Sequence, residues 1–204
     1  FKSVVTCRVC DRVSRAWDPF WDLPLPIPRS AQARSSRMYG GMSGLASGGG
    51  GAACPLSKCF KGFVRQDSLD GDYYCARCGK HTDSVKEMRI QRCPAVLVIH
   101  LKRFAFSLYR RSKITTSVDF PVTGLDVTEY CSASCPDVPE GGSAPLMGGG
   151  HYTADALNVD TGKWYNFNDS RVSPTSASRL SGSAAYLLFY LRRGASVGQP
   201  ASTG

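Results

Sequence analysis

The sequence is short of the features that mark whole classes of protein. No apolar run approaches the roughly 18 residues that a membrane helix needs; Pro94–Ala–Val–Leu–Val–Ile99 stops at His100, and Ala184–Leu191 is no better placed. No segment therefore spans a bilayer, and no membrane partner is expected. Phe1–Lys–Ser–Val–Val–Thr6 has neither the apolar centre nor the cleavage site of a secretory signal. There is no internal repeat. Acidic residues are few, 16 against 25 Lys and Arg, for a net charge of +9 over 204 residues. Yet no block of five or six like charges occurs, and the basic residues are not interleaved with aromatics. The charge reads as a solvated surface, and no nucleic acid is expected as partner.

What is present bounds the answer further. A hydrophobic fraction of 42%, with nine Phe, nine Tyr and three Trp, supplies a real core. Nine cysteines are an odd number, and four of them form two Cys-x-x-Cys pairs. That usage fits thiol and metal chemistry in a reducing compartment better than a disulfide framework, so the chain reads as intracellular, cytoplasmic or nuclear or both.

Composition divides the chain. Trp17–Pro28 is proline-rich and favours extended backbone. Residues 29–53, mostly Ser, Gly, Ala and Arg, read as a flexible insertion, and 194–204 as a disordered tail. Between them, Phe60–Leu69 is predicted as a short helix, and Asp70–Gly71 as a turn into Tyr73–Tyr74–Cys75. Ala95–Leu101 is predicted as a buried strand, and Val118–Pro121 as a short extended piece. His151–Leu157 and Lys163–Phe167 flank Asp160–Thr–Gly162 and are predicted as an antiparallel hairpin, with Ala184–Leu191 a further strand.

Cys7-x-x-Cys10 and Cys75-x-x-Cys78 are two chelating pairs that together make a closed tetrahedral site of four thiolates, suited to structural zinc. The 64 residues between Cys10 and Cys75 are no obstacle, since loop-closure cost grows only logarithmically with length. His81 is an alternative fourth ligand, outweighed by its reading as an exposed loop histidine. Cys54, Cys59, Cys131 and Cys135 are a less specific second set, and Cys93 reads as a small buried apolar residue. The hairpin also brings His151 beside Asn168 or Asp169, 17 residues on, either of which would fix the imidazole and leave its other nitrogen to activate a nucleophile.

These stretches, in this order, resemble the ubiquitin-specific proteases: the two Cys-x-x-Cys pairs, Leu97–Val–Ile–His–Leu–Lys–Arg–Phe104, Gly149–Gly–His–Tyr–Thr153, Trp164–Ser170 and Tyr186–Leu–Leu–Phe–Tyr190. The resemblance implies an α+β, predominantly antiparallel β, papain-like cysteine protease that hydrolyses the bond after the C-terminal Gly of ubiquitin on conjugated proteins. It implies His151 as general base, Asn168 as the residue that orients it, and Asp169 as support for the oxyanion or the histidine. Cys7, Cys10, Cys75 and Cys78 match the zinc site at the tip of the fingers, and His100 a structural position in a palm strand. Ubiquitin and ubiquitinated proteins are the implied partners.

Two departures shape the expectation. The nucleophile box of that family, Gly-x-x-Asn-x-Gly-Asn-Thr-Cys-Tyr, is not found, and none of the nine cysteines has its context. Residues 1–193 are thus expected to be fingers and palm without the thumb, part of a longer chain and inactive alone. Tyr130–Met147 also lacks strand-like alternation where the family has a palm strand, so a central strand is expected to be missing. The competing readings are a catalytically dead ubiquitin-binding module and, last, a zinc-dependent nucleic-acid binder.

Overall fold

The computed structural model describes residues 1–32, 53–107, 110–133, 151–180 and 182–194. Its elements are β1 (Lys2–Cys7), β2 (Val13–Trp17), β3 (Leu23–Pro26), the single turn α1 (Arg29–Gln32), β4 (Cys54–Pro55), α2 (Leu56–Val64), β5 (Asp67–Cys75), β6 (Lys80–Arg89) and β7 (Val96–Lys102). They continue as β8 (Phe104–Ser107), β9 (Arg110–Lys113), β10 (Val118–Asp119), β11 (Ala154–Asn158), β12 (Lys163–Asn168), β13 (Arg171–Thr175) and β14 (Leu187–Leu191). The result is mostly antiparallel β with little helix, as the sequence led one to expect.

Three sheets carry the architecture: β2-β1-β6-β5, β14-β7-β3 and β11-β12-β13. In the first, every pairing is antiparallel, so β1 and β5 run in the same direction on either side of β6. In the second, β14 is antiparallel to β7 and β3 is parallel to it. The third is an antiparallel meander.

The core lies between α2 and the β14-β7-β3 sheet. Leu97, Ile99 and Leu101 of β7 are fully buried, alternating with less buried neighbours, so this strand buries one face rather than two. Leu23 and Leu25 of β3, Leu188 and Tyr190 of β14, and Leu56, Cys59 and Phe60 of α2 complete the contact surface. Tyr130 stacks on Phe60 at 4.6 Å between ring centroids. It therefore belongs to the core, although the sequence marks the start of an unpatterned stretch there.

Several boundaries differ from expectation. The predicted helix 60–69 begins four residues earlier, because Leu56, Cys59, Phe60 and Phe63 recur at helical spacing on the face against the core. It ends at Val64 because Arg65 turns extended and residues 67–69 pair with β6. Asp70–Gly71 is a bulge inside β5, with Gly71 at φ +76°, rather than a turn before a strand. β1, β2, β6 and β13 went unassigned in the sequence, since their alternation is diluted by polar and charged residues. Residues 33–52 of the expected insertion, 134–147 of the expected strand-less stretch and 195–204 of the expected tail lie outside the described residues.

Buried Arg103 fastens these parts together. Only 1% exposed, it donates from Nε to Ala185 O, from Nη1 to Ile114 O and Thr116 O, and from Nη2 to Gly182 O. Burial draws its pKa below the usual guanidinium value.

Candidate functional site

The sheet β2-β1-β6-β5 explains how cysteines so far apart in sequence meet. β1 and β5 flank β6 in the same direction, so their C-terminal residues, Cys7 opposite Ser84 and Cys75 opposite Lys80, arrive at one end of the sheet. Each strand then closes a matching turn. Asp11 N–H donates to Cys7 O at 3.0 Å and Gly79 N–H to Cys75 O at 2.9 Å. The residue after each second cysteine is left-handed, Asp11 at φ 56° and Gly79 at φ +67°. That conformation costs glycine nothing and aspartate little.

The four sulfurs lie within 4.8 Å of one another, with Cys7–Cys78 at 4.0 Å and Cys10–Cys75 at 3.6 Å. A tetrahedron with metal–sulfur arms of about 2.3 Å has edges of about 3.8 Å. The geometry thus fits a tetrahedral thiophilic cation. The Thr82 hydroxyl, 3.3 Å from the sulfur, together with the N–H groups of Val9 and Cys10, holds the Cys7 thiol down to about 6. The Cys78 and Arg77 N–H groups lower that of Cys75. Cys78, beside the other thiols, is pushed up to about 12. A divalent ion would let all four ionise.

His81 takes no part. It sits in β6, its Nδ1 3.1 Å from Gly71 O and its ring edge-on to Tyr74. Cys54 and Cys59 are core residues, and burial beside Cys54 pushes Cys59 up to about 12. Cys93 is buried as expected, with its sulfur 3.8 Å from that of Cys131. Cys135 lies outside the described residues.

The second constellation is built by the meander. Asn158 Oδ1 accepts from the N–H groups of Asp160 and Thr161, and Gly162 at φ +66° brings the chain back into β12. β12 ends at Asn168, and the two-residue turn Asp169–Ser170 leads into β13, with Asp169 left-handed at φ 51°. His151 is three residues before β11 rather than in it, because the first strand pair is Ala154–Phe167.

His151 Nε2–H donates to Asn168 Oδ1 at 2.5 Å. An amide oxygen can only accept, so Nε2 carries a proton, and in the neutral imidazole Nδ1 is then the nitrogen with the free lone pair. Asp169 Oδ2 stands 3.9 Å from Nδ1. The side chains of His151 and Asp169 are 58% and 79% exposed. The arrangement is an oriented imidazole with one basic nitrogen open to a reactant and a carboxylate beside it.

Sequence reasoning passed over Asp22, whose Oδ2 is 3.2 Å from His100 Nδ1, with Tyr186 edge-on to the imidazole. The pairing arises because β3 lies parallel to β7 with Pro24 opposite His100. The contact holds the His100 ring against the start of β3.

Comparison with known proteins gives a consistent answer. A family model described as Ubiquitin carboxyl-terminal hydrolase matches residues 1–190. The chain is 41% identical over 197 residues to ubiquitin carboxyl-terminal hydrolase 2 of Gallus gallus, covering 93% of this chain and 50% of that protein. It is 40% identical to its Homo sapiens counterpart, covering 29% of that protein. Among solved structures, it superposes on a chain of the SAGA Ubp8/Sgf11/Sus1/Sgf73 DUB module bound to ubiquitin aldehyde with a TM-score of 0.70 at 28% identity, covering 94% of this chain and 40% of that one. The chain thus spans about half the length, or less, of the relatives it matches. On the family model that spans residues 1–190 and on these relatives, the chain belongs to the ubiquitin carboxyl-terminal hydrolases, in their ubiquitin-specific protease branch.

Proposed function

We propose that this chain is the fingers and palm of a thiol-dependent deubiquitinase that hydrolyses the bond after the C-terminal glycine of ubiquitin on conjugated proteins. The observation that carries the reading is the His151–Asn168 hydrogen bond of 2.5 Å at the open end of the β12–β13 turn. Asn168 holds the imidazole in one tautomer, and His151 accepts the proton of an attacking thiol at the other nitrogen and returns it to the leaving amine. Asp169 stabilises the imidazolium so formed, or the oxyanion. On this reading the thiol is none of the nine cysteines of this sequence, since none has the sequence context of that family's nucleophile. Four of those form the cluster; Cys54 and Cys59 are buried together, and Cys93 faces Cys131.

The ion we assign to Cys7, Cys10, Cys75 and Cys78 is zinc, which fastens the tip of the four-stranded sheet and takes no part in hydrolysis. That sheet and its neighbours are then the surface that grips ubiquitin inside the cell. Residues 1–193 form the partial catalytic domain, 29–53 a tolerated insertion and 194–204 a tail.

The test is labelling of the full-length gene product, and of this chain in parallel, with ubiquitin bearing a C-terminal electrophile. Labelling of the full-length product alone supports the reading, and His151→Ala in that product should abolish hydrolysis while sparing ubiquitin binding. Binding without labelling in both would make the protein a reader of ubiquitin instead of a protease. Retained turnover by His151→Ala would refute the assignment of the base.

A further inference from the structure

Outside the two constellations already described, Cys93 and Cys131 bring two sulfurs together from distant parts of the sequence. Cys93 lies in the connection between β6 and β7, and Cys131 follows the 3-10 turn Thr128–Tyr130. They are 38 positions apart, with their sulfurs 3.8 Å apart. We infer that Cys93 and Cys131 form an oxidisable pair, which hydrogen peroxide converts into a disulfide joining the β6–β7 connection to the segment after Tyr130.

The backbone around the pair is already in register. Ile90 N–H donates to Tyr130 O at 3.1 Å, and Ser132 N–H to Ile90 O at 2.8 Å. This forms a parallel bridge between Ile90 and Cys131. The Ser132 hydroxyl donates to Gln91 Oε1 at 2.9 Å on the same side. A disulfide brings sulfurs to about 2.05 Å, so forming one requires these two to close from 3.8 Å while the ladder holds the two segments together.

Access follows from exposure. Cys131 is partly exposed, and Cys93, only 2% exposed, is among the residues that line an open cleft of about 360 Å³, with Phe1, Trp17, Phe20 and Pro94. Cys131 is the sulfur that meets the oxidant. Its thiolate attacks the peroxide oxygen, the O–O bond breaks, and the departing hydroxide takes up the thiol proton as water. The Cys93 thiolate then attacks the sulfenic sulfur of Cys131, the S–O bond breaks, and hydroxide leaves with the second thiol proton. Two thiols are oxidised by two electrons, and one peroxide is reduced to two waters.

The experiment exposes the purified chain to limiting hydrogen peroxide, alkylates the remaining thiols and maps peptides without reduction. The expected product is lighter by two hydrogens, has lost two alkylatable thiols, carries a Cys93–Cys131 linked peptide, and reverts with dithiothreitol. The link should persist in Cys135→Ser and vanish in Cys131→Ser. Alkylation of both Cys93 and Cys131 after oxidation, or a link from Cys131 to Cys135, would overturn the inference. Should the Cys131→Ser chain not fold, the map of the unsubstituted and Cys135→Ser chains decides by itself.

Discussion

Replacing Arg103 with Met leaves the aliphatic stem in place and removes the guanidinium. Four carbonyls, of Ile114, Thr116, Gly182 and Ala185, then each lose a guanidinium N–H in a region where water has little access, and Gly182 O keeps only the Val118 N–H. At roughly 1.5 kcal/mol for each charge-assisted bond the gross loss is about 6 kcal/mol, part of which is recovered because a charge no longer has to be buried. A net loss of about 3–5 kcal/mol is expected, which for a chain of this size lowers Tm by roughly 10 °C. Arg103→Lys keeps the charge but not the planar fork, so one ammonium cannot serve four acceptors spread over two segments, and it should lose about half as much. Urea unfolding followed by fluorescence, with thermal melts alongside, gives both numbers. A Met variant within about 1 kcal/mol of the parent would refute the reasoning, and a fully stable Lys variant would show that charge, and not the fork, is what counts.

Three further outcomes are expected. Cys75→Ser should lower Tm by more than about 10 °C and abolish the stoichiometric zinc measured by elemental analysis, and a chelator should destabilise the parent but not the variant; a parent that is folded and zinc-free would sink the assignment of the metal. Gly182→Ala should cost about 3 kcal/mol or more in denaturant unfolding, because its Cβ would lie 1.9 Å from Val118 O on a backbone pinned by the Val118 N–H to Gly182 O bond; unchanged stability would mean that this close approach is not maintained in solution. Hydrogen bonding to Arg89, and then to Gln66, lowers the pKa of Glu87. Its stabilising contribution is therefore full above the ordinary glutamate range near 4 and is lost as pH falls below it; Glu87→Gln should flatten that acid limb by under about 1 kcal/mol, and an unaltered pH profile of stability would count against the pair.

Some features were legible in the sequence because chemistry at fixed spacing marks them. Two Cys-x-x-Cys pairs demand a common centre whatever lies between, and the structure brings their sulfurs together. His151 and Asn168 are likewise related by a hairpin whose turn, Asp160–Thr–Gly162, is written in turn-forming residues, and they are hydrogen-bonded. The strands of the four-stranded sheet were harder to see. β6, Lys80–Arg89, carries Lys80, His81, Asp83, Lys86, Glu87 and Arg89, and only pairing on both sides makes it a strand. Arg103 was counted as one more surface charge, since nothing local says that four carbonyls from two distant segments converge on it. The meeting of Cys93 and Cys131 depends in the same way on a parallel bridge that neither segment announces.

The alternation of β3, Leu23–Pro24–Leu25–Pro26, has a consequence for how copies of this chain behave in a crowded solution. Leu23 and Leu25 are buried against the core, and of the described strands only β7 pairs with β3, which leaves its other side as a sheet border. In a strand, successive backbone amides point to opposite sides, and Pro24 and Pro26 have none to offer. Positions 24 and 26 on that border thus present carbonyls without donors, so an extended segment from another molecule finds only half of a ladder there. The two prolines let β3 close the apolar face of the sheet without making its rim a template for intermolecular growth.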